Sequence, residues 1–301
     1  MTNKDKILLK IANTIVANLG NTTEIGLMTG KTGISLFLYE YARFSGVEFY
    51  EDIANNLLED VFHELKPSLP PSIINGTPGI GWAIITMLKN GFIEYDDNEL
   101  MEDIDKSIFS NAQTLIEEEL KSSHPAFSVG LYLSKRLEYS DICYNEKVTN
   151  IVADIKRIIN SLLINRKDLP KLFLASLYFV MDKLYSLSFV SKEELSNIKK
   201  HVLRYSTPTN VGSLNSYCAF ENKIINFVTD RHKFTNISND IAADCMPFDF
   251  GWWLLIYETY SKAGKSTHFV EYEHHLKDCF YDIHSANAKL SAFGLKIIKY
   301  D

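Results

Sequence analysis

Cysteine is scarce in this chain, and its absence from paired motifs excludes several classes at once. The 301 residues contain four cysteines, Cys143, Cys218, Cys245 and Cys279. No two of them form a C-x-x-C pair, so neither a disulfide scaffold nor a zinc ribbon nor a dithiol redox motif is written here. Proline and glycine are also few, at 8 and 14, and strand-type alternation is rare. No run of about 18 uncharged apolar residues occurs, so no membrane span is expected. The first residues, Met1 to Lys10, are broken by charge early, which argues against a signal peptide and for a reduced, cytoplasmic protein. Positive charge is in deficit as well. Lys plus Arg is 31 against 38 for Asp plus Glu, a net charge of -7, and this is no footprint for nucleic acid or an anionic membrane.

Apolar residues at helical spacing fill much of the remainder. Ile7, Ile11, Ile15 and Leu19 fall on one helical face, as do Ile151, Ile155, Ile158, Leu162 and Leu163. Segments 51–65, 100–120, 147–164 and 192–203 read as amphipathic helices. A second kind of segment alternates with them. Each opens on a small residue and continues into a helix that is apolar nearly all round. Gly30-Lys-Thr-Gly33-Ile-Ser-Leu-Phe and Gly76-Thr-Pro-Gly79-Ile-Gly81-Trp82 are the clearest. Val129-Gly130, Leu174-Ala175, Val211-Gly212, Phe250-Gly251 and Phe293-Gly294 continue the series. The small residues stand at 33, 79, 130, 175, 212, 251 and 294, a period of roughly 43 residues, enough for two helices and two loops. A helix apolar all round must be buried, whereas a striped one can face water. The expectation is therefore an all-α chain, residues 1–301 forming one α/α toroid of about seven hairpins. Glycine at each inner-helix start would permit close backbone approach and positive φ. An open α-solenoid of similar period is the alternative.

Gly26-Leu-Met-Thr-Gly30-Lys31-Thr32 invites comparison with a phosphate loop. Only three residues separate its glycines where four are needed, and no apolar strand precedes it, so nucleotide binding is rejected. Lys31 and Thr32 are expected instead in a loop at the mouth of the ring.

The segments 26–39 and 74–84 resemble the lanthionine synthetase C-like family, whose inner helices open with similar G-x-x-G patterns. The resemblance implies a seven-hairpin toroid and a role in modifying ribosomal peptides, with a precursor peptide or a peptide-modifying enzyme as partner. Family cyclases hold zinc with two cysteines and a histidine. Here Cys218, in Asn215-Ser-Tyr-Cys218-Ala-Phe, and Cys245, before Met246-Pro247, stand at the two cysteine positions. Met246 occupies the place of the histidine, and a thioether is a poor zinc ligand. The expectation is no bound cofactor and no zinc-dependent thioether formation. A zinc site rebuilt with His275, Cys279 or His284 is the competing possibility.

A toroid gathers its inner-helix starts around one opening, the natural place for a ligand. Lys31, Asn75, Thr77 and Trp252 are the candidate substrate-binding residues there. Asp249 and His284 are the candidate acid/base pair. Asn75, Asn287 and Asp249 are equally suited to cap helices. Two other functions share this fold class. A carbohydrate-active toroid would use paired carboxylates drawn from Glu221, Asp240, Asp244 and Asp249. An interaction scaffold would fill its centre with side chains such as Trp82 and Trp252.

Overall fold

Apolar runs and polar breaks resolve into eleven α-helices in the computed structural model, which describes residues 2–66, 68–94, 97–123, 125–139, 146–166, 169–205, 256 and 286–300. No strand occurs among the described residues. The chain divides into two compact units. The first joins Met1–Lys66 to His232–Asp301, and the second is Pro67–Arg231.

The first unit opens with α1 (Asn3–Ala17), capped by Thr2. The Asp5 N–H donates to Thr2 Oγ1 at 3.2 Å, and Asp5 Oδ2 accepts the Thr2 N–H at 2.6 Å, a reciprocal box that satisfies two orphan donors. Ile7, Ile11 and Ile15 are buried as their spacing predicts, but Leu19 lies beyond the helix in a short 3₁₀ turn (Leu19–Asn21). Next come α2 (Lys31–Ser45) and α3 (Phe49–Glu64), which pack on each other. The last described helix, here α11 (Ala286–Tyr300), packs against both α1 and α2. Asn287 fixes its start: the side-chain amide donates to Asn18 O and Thr22 Oγ1, each at 3.0 Å. That bonding replaces the capping role the sequence suggested. Near its end, Lys299 Nζ meets the buried Glu40 carboxylate of α2 at 2.5 Å.

In the second unit, α4 (Thr77–Lys89), α7 (Ser128–Tyr139) and α9 (Lys171–Ser186) pack in that order, α4 on α7 and α7 on α9. Around them lie α5 (Asp97–Phe109), α6 (Ala112–Glu119), α8 (Glu146–Asn165) and α10 (Lys192–Tyr205). The segment 100–120, expected as one helix, breaks at Ser110-Asn111. Both side chains compete for backbone groups and favour helix ends.

Two kinds of helix alternate along the chain. Every residue from Thr32 to Ala42, Thr77 to Leu88, Ser128 to Leu137 and Leu172 to Met181 is buried. By contrast, α3 buries a stripe of Tyr50, Ala54, Leu57, Leu58 and Val61, and α8 buries Val152, Ile155, Ile159 and Leu162. The α8 stripe is rotated from the expected one, leaving Ile151 and Ile158 half-buried. Each fully buried Leu, Ile or Phe contributes about 1.5–3 kcal/mol, so the helices buried all round carry most of the core.

The small residues of the repeat keep register only in part. Gly33, Gly79 and Gly130 are each the third residue of their helix, whereas Ala175 is the fifth of α9 and Gly294 the ninth of α11. Residues around Gly212 and Gly251 lie outside the described residues.

Candidate functional site

The helix starts that were expected to line a ligand opening are built by a repeated device. Gly30 is the N-cap of α2 and Gly76 that of α4. The Gly30 N–H donates to Gly26 O at 3.1 Å, and the Gly76 N–H donates to Ser72 O at 2.9 Å. In both, the carbonyl six residues back sits where a Cβ would go: Glu24 O at 2.1 Å from that position in one, Pro70 O at 1.7 Å in the other. Both residues have extended backbone, φ -146° and -117°. Close approach therefore requires glycine here, and the expected positive φ is not used. Positive φ occurs instead at the far ends, at Gly46 (71°) and Gly91 (65°).

In the first unit, Lys31 and Thr32 are helical, not in a loop. Thr32 is fully buried, and its hydroxyl donates to Ile25 O. Lys31 turns back onto α3, with Nζ 2.9 Å from Asp60 Oδ2 and 2.8 Å from Glu64 Oε1. Partial burial works against its charge, but the two carboxylates prevail and raise its pKa. The ammonium offered by sequence as a substrate contact is thus held by two acids.

In the second unit, Asn75 is half-buried and Thr77 is buried, on either side of Gly76. Helix α4 receives no side-chain cap, so Asn75 does not cap it. The loop before α4 is tied to α7 instead: Ser128 Oγ accepts the Ile73 N–H at 2.7 Å. Beneath Ser128 lies Glu119, the last residue of α6, only 1% exposed. Its Oε1 accepts the Ala126 N–H at 3.3 Å and its Oε2 the Ser128 N–H at 3.1 Å, while the Ser128 hydroxyl bonds Oε1. Burial pushes the Glu119 carboxyl up to about 8, against the pull of these hydrogen bonds. Sequence reading missed this residue because Glu117-Glu118-Glu119 looks like a solvated acidic run. The signal was phase: Ala112, Ile116 and Glu119 are the buried residues of α6, at i, i+4 and i+7.

Further down the same helices, Asp105 of α5 accepts the Tyr132 hydroxyl at 2.7 Å and the Arg136 Nε–H at 3.1 Å. Tyr132 is fully buried, and desolvation holds its hydroxyl well above the usual tyrosine range. Lys135 Nζ sits 5.0 Å from the centroid of the Trp82 ring, a cation–π contact between α7 and α4. Glu138 receives Lys183 at 2.5 Å and Lys89 at 3.8 Å. These groups pin neighbouring helices to one another.

One cleft, of about 180 Å³, opens between α8, α9 and α10. Its walls are Lys156, Asn160, Glu194, Asn197 and His201, over a floor of Ile159, Met181 and Ile198. Lys156 Nζ lies 2.7 Å from Glu194 Oε1. The Lys156 ammonium and the Ser191 N–H bring the Glu194 carboxyl down to about 2, and burial lowers the pKa of His201. The cleft thus holds an ion pair already matched in charge beside an imidazole biased toward its neutral form.

Of the remaining candidates, Cys218, Cys245, Met246, Asp249, Trp252 and His284 lie outside the described residues, as do Glu221, Asp240, Asp244, His275 and Cys279. Among the described residues no group of three His, Cys, Asp or Glu side chains could hold a metal. No helix among them is long and apolar enough to cross a membrane. Comparison with protein-family models, with curated proteins and with solved structures finds no match.

Proposed function

We propose that residues 1–301 form one closed α/α toroid, a divergent lanthionine synthetase C-like protein that binds a precursor peptide or a peptide-modifying enzyme without forming thioethers itself. The observation that carries the reading is the matched geometry at Gly30 and Gly76. Two helix starts 46 residues apart in the sequence use the same glycine N-cap against the carbonyl six residues earlier. That supports a true structural repeat, and the G-x-x-G segments resembling the family open the helices so built. Alternation of helices buried all round with striped ones supports an inner and an outer layer. The packing of α11 on α1 and α2 is what a ring needs at its seam.

Loss of catalysis rests on the donor set. Cys218, Cys245 and Met246 supply two thiolates and a thioether, and this set does not fit a zinc centre that must also activate a substrate thiol. The binding function then falls to the helix starts, with Asn75 and Trp252 as the peptide-contacting groups.

Metal analysis of protein purified without chelator tests the proposal, paired with a peptide carrying one cysteine and one dehydrated serine. The expected result is far less than one zinc per chain and no loss of peptide thiol beyond the protein-free control, with saturable peptide binding by fluorescence anisotropy. One zinc per chain with thiol consumption would overturn the non-catalytic part. Absence of binding to any precursor peptide or modifying enzyme encoded beside this chain would overturn the rest.

A further inference from the structure

The buried end of α6 holds a carboxylic acid whose partners among the described residues are all neutral. Glu119 accepts the N–H groups of Ala126 and Ser128 and shares a hydrogen bond with the Ser128 hydroxyl. Ser128 Oγ also accepts the Ile73 N–H from the loop before α4. One carboxyl therefore ties the end of α6, the start of α7 and the loop leading into α4. Helix α6 packs against α5, α7 and α8, and the described charged groups on those helices are paired elsewhere or exposed. Asp105 of α5 pairs with Arg136 of α7, while Lys135 lies over Trp82. Glu138 takes Lys89 and Lys183. On α8, Lys156 pairs with Glu194 and Arg157 with Asp154. Glu102, Asp103 and Lys106 of α5, and Glu118 of α6 beside a half-buried Glu117, are exposed. None of these charges acts on Glu119. His124 lies outside the described residues.

We propose that Glu119 is a proton-controlled latch over the loops that lead into α4 and α7, holding them together while its carboxyl is neutral and releasing them when it ionises. The neutral acid can donate its proton to Ser128 Oγ and still accept both backbone N–H groups. The ionised acid keeps three donors but is left as a dry charge with no counter-ion among the described residues, and opening the loops to water relieves that cost.

The direction of the pH effect follows from linkage. Latched, the group titrates near 8; hydrated, it returns to its ordinary 4.5. The latched state therefore binds more protons between those limits. Latching is complete below pH 4.5 and is progressively lost as pH rises through 8. The opening equilibrium is expected to rise roughly 50-fold between pH 6 and 8. The device does not depend on what the chain binds.

Amide hydrogen exchange of the full chain across pH 6 to 9, corrected for base-catalysed intrinsic exchange, tests the latch. The expected result is that Ile73, Ala126 and Ser128 lose protection together as pH rises. In E119Q, which stays neutral, their protection should not change with pH. In S128A, Ile73 should lose its pH dependence while Ala126 retains it. Flat protection in the wild-type chain would overturn the latch even if neither variant folds, and so would an identical pH dependence in E119Q.

Discussion

Two helix ends in the second unit are built alike except for one side chain. At the end of α4, the Gly91 N–H donates to Leu88 O at 2.9 Å and the Phe92 N–H to Met87 O at 3.0 Å. At the end of α9, the Ser188 N–H donates to Tyr185 O at 3.0 Å and the Phe189 N–H to Leu184 O at 2.9 Å. Both are Schellman ends, which need a left-handed residue at the turn. Gly91 supplies it at φ 65°, whereas Ser188 adopts φ 66°, at a cost of about 1 kcal/mol for an L side chain. Ser188→Gly should therefore stabilise the protein by about 0.5 kcal/mol, since glycine also loosens the unfolded chain. Urea unfolding should show a higher midpoint at unchanged slope; a lower midpoint would mean that the serine side chain has a partner worth more than the strain. Sequence could signal the first end and not the second. Asn90-Gly91 is a recognised breaker pair, while Ser186-Leu187-Ser188 looks like an ordinary polar helix exit. Glu119 was hidden for a related reason, because local composition speaks louder than helical phase.

At the scale of elements, the striped helices were the most legible part of the chain. The segments 51–65, 147–164 and 192–203 correspond to α3, α8 and α10 within a few residues, because a buried stripe at helical spacing is a repeated signal. What the stripe could not show is how an outer helix is anchored. Helix α10 is held by Ser191 and Glu194. The Glu194 N–H donates to Ser191 Oγ at 3.2 Å, and Glu194 Oε2 accepts the Ser191 N–H at 2.7 Å. The same carboxylate reaches Lys156 of α8, and Lys156 Nζ also donates to Phe189 O at 3.2 Å. Glu194 therefore caps one helix and braces it on another. Its pKa is depressed to about 2 from an ordinary 4.5, so its contribution to stability is present above pH 4.5 and is lost as pH falls toward 2. The side chain of Glu194 is 40% exposed, and solvent screening reduces the effect to about 1 kcal/mol. Glu194→Gln should cost that amount at pH 7 and roughly a quarter of it at pH 2.5, as read from urea unfolding at both. An equal loss at the two pH values would assign the effect to packing and not to charge.

At the scale of the whole molecule, the feature least visible in sequence is that the first and last described helices share one core. A period of roughly 43 residues points to repetition, but no local pattern says that the end of the chain returns to its beginning. The small residue used to count the last repeat, Gly294, lies deep in α11 and not at its start, so the period there was matched by a packing glycine. Meeting of the ends is decided by long-range burial. Leu290, Leu295 and Ile297 of α11 are buried, as are Leu8, Ile11 and Ile15 of α1 and Phe37 of α2. Asn287 and Lys299 hold α11 to those helices near each of its ends. Because α11 contributes to a core built from the other end of the sequence, damage within it should travel there. Leu290 is fully buried, and Leu290→Ala removes three carbon atoms from a packed site, a change that costs about 2–5 kcal/mol. Hydrogen exchange should then accelerate in α1 and α2 together with α11, since residues sharing one cooperative core open together. If α11 alone lost protection while α1 and α2 kept theirs, the last helix would be an appendage, and the seam that a closed ring requires would be missing.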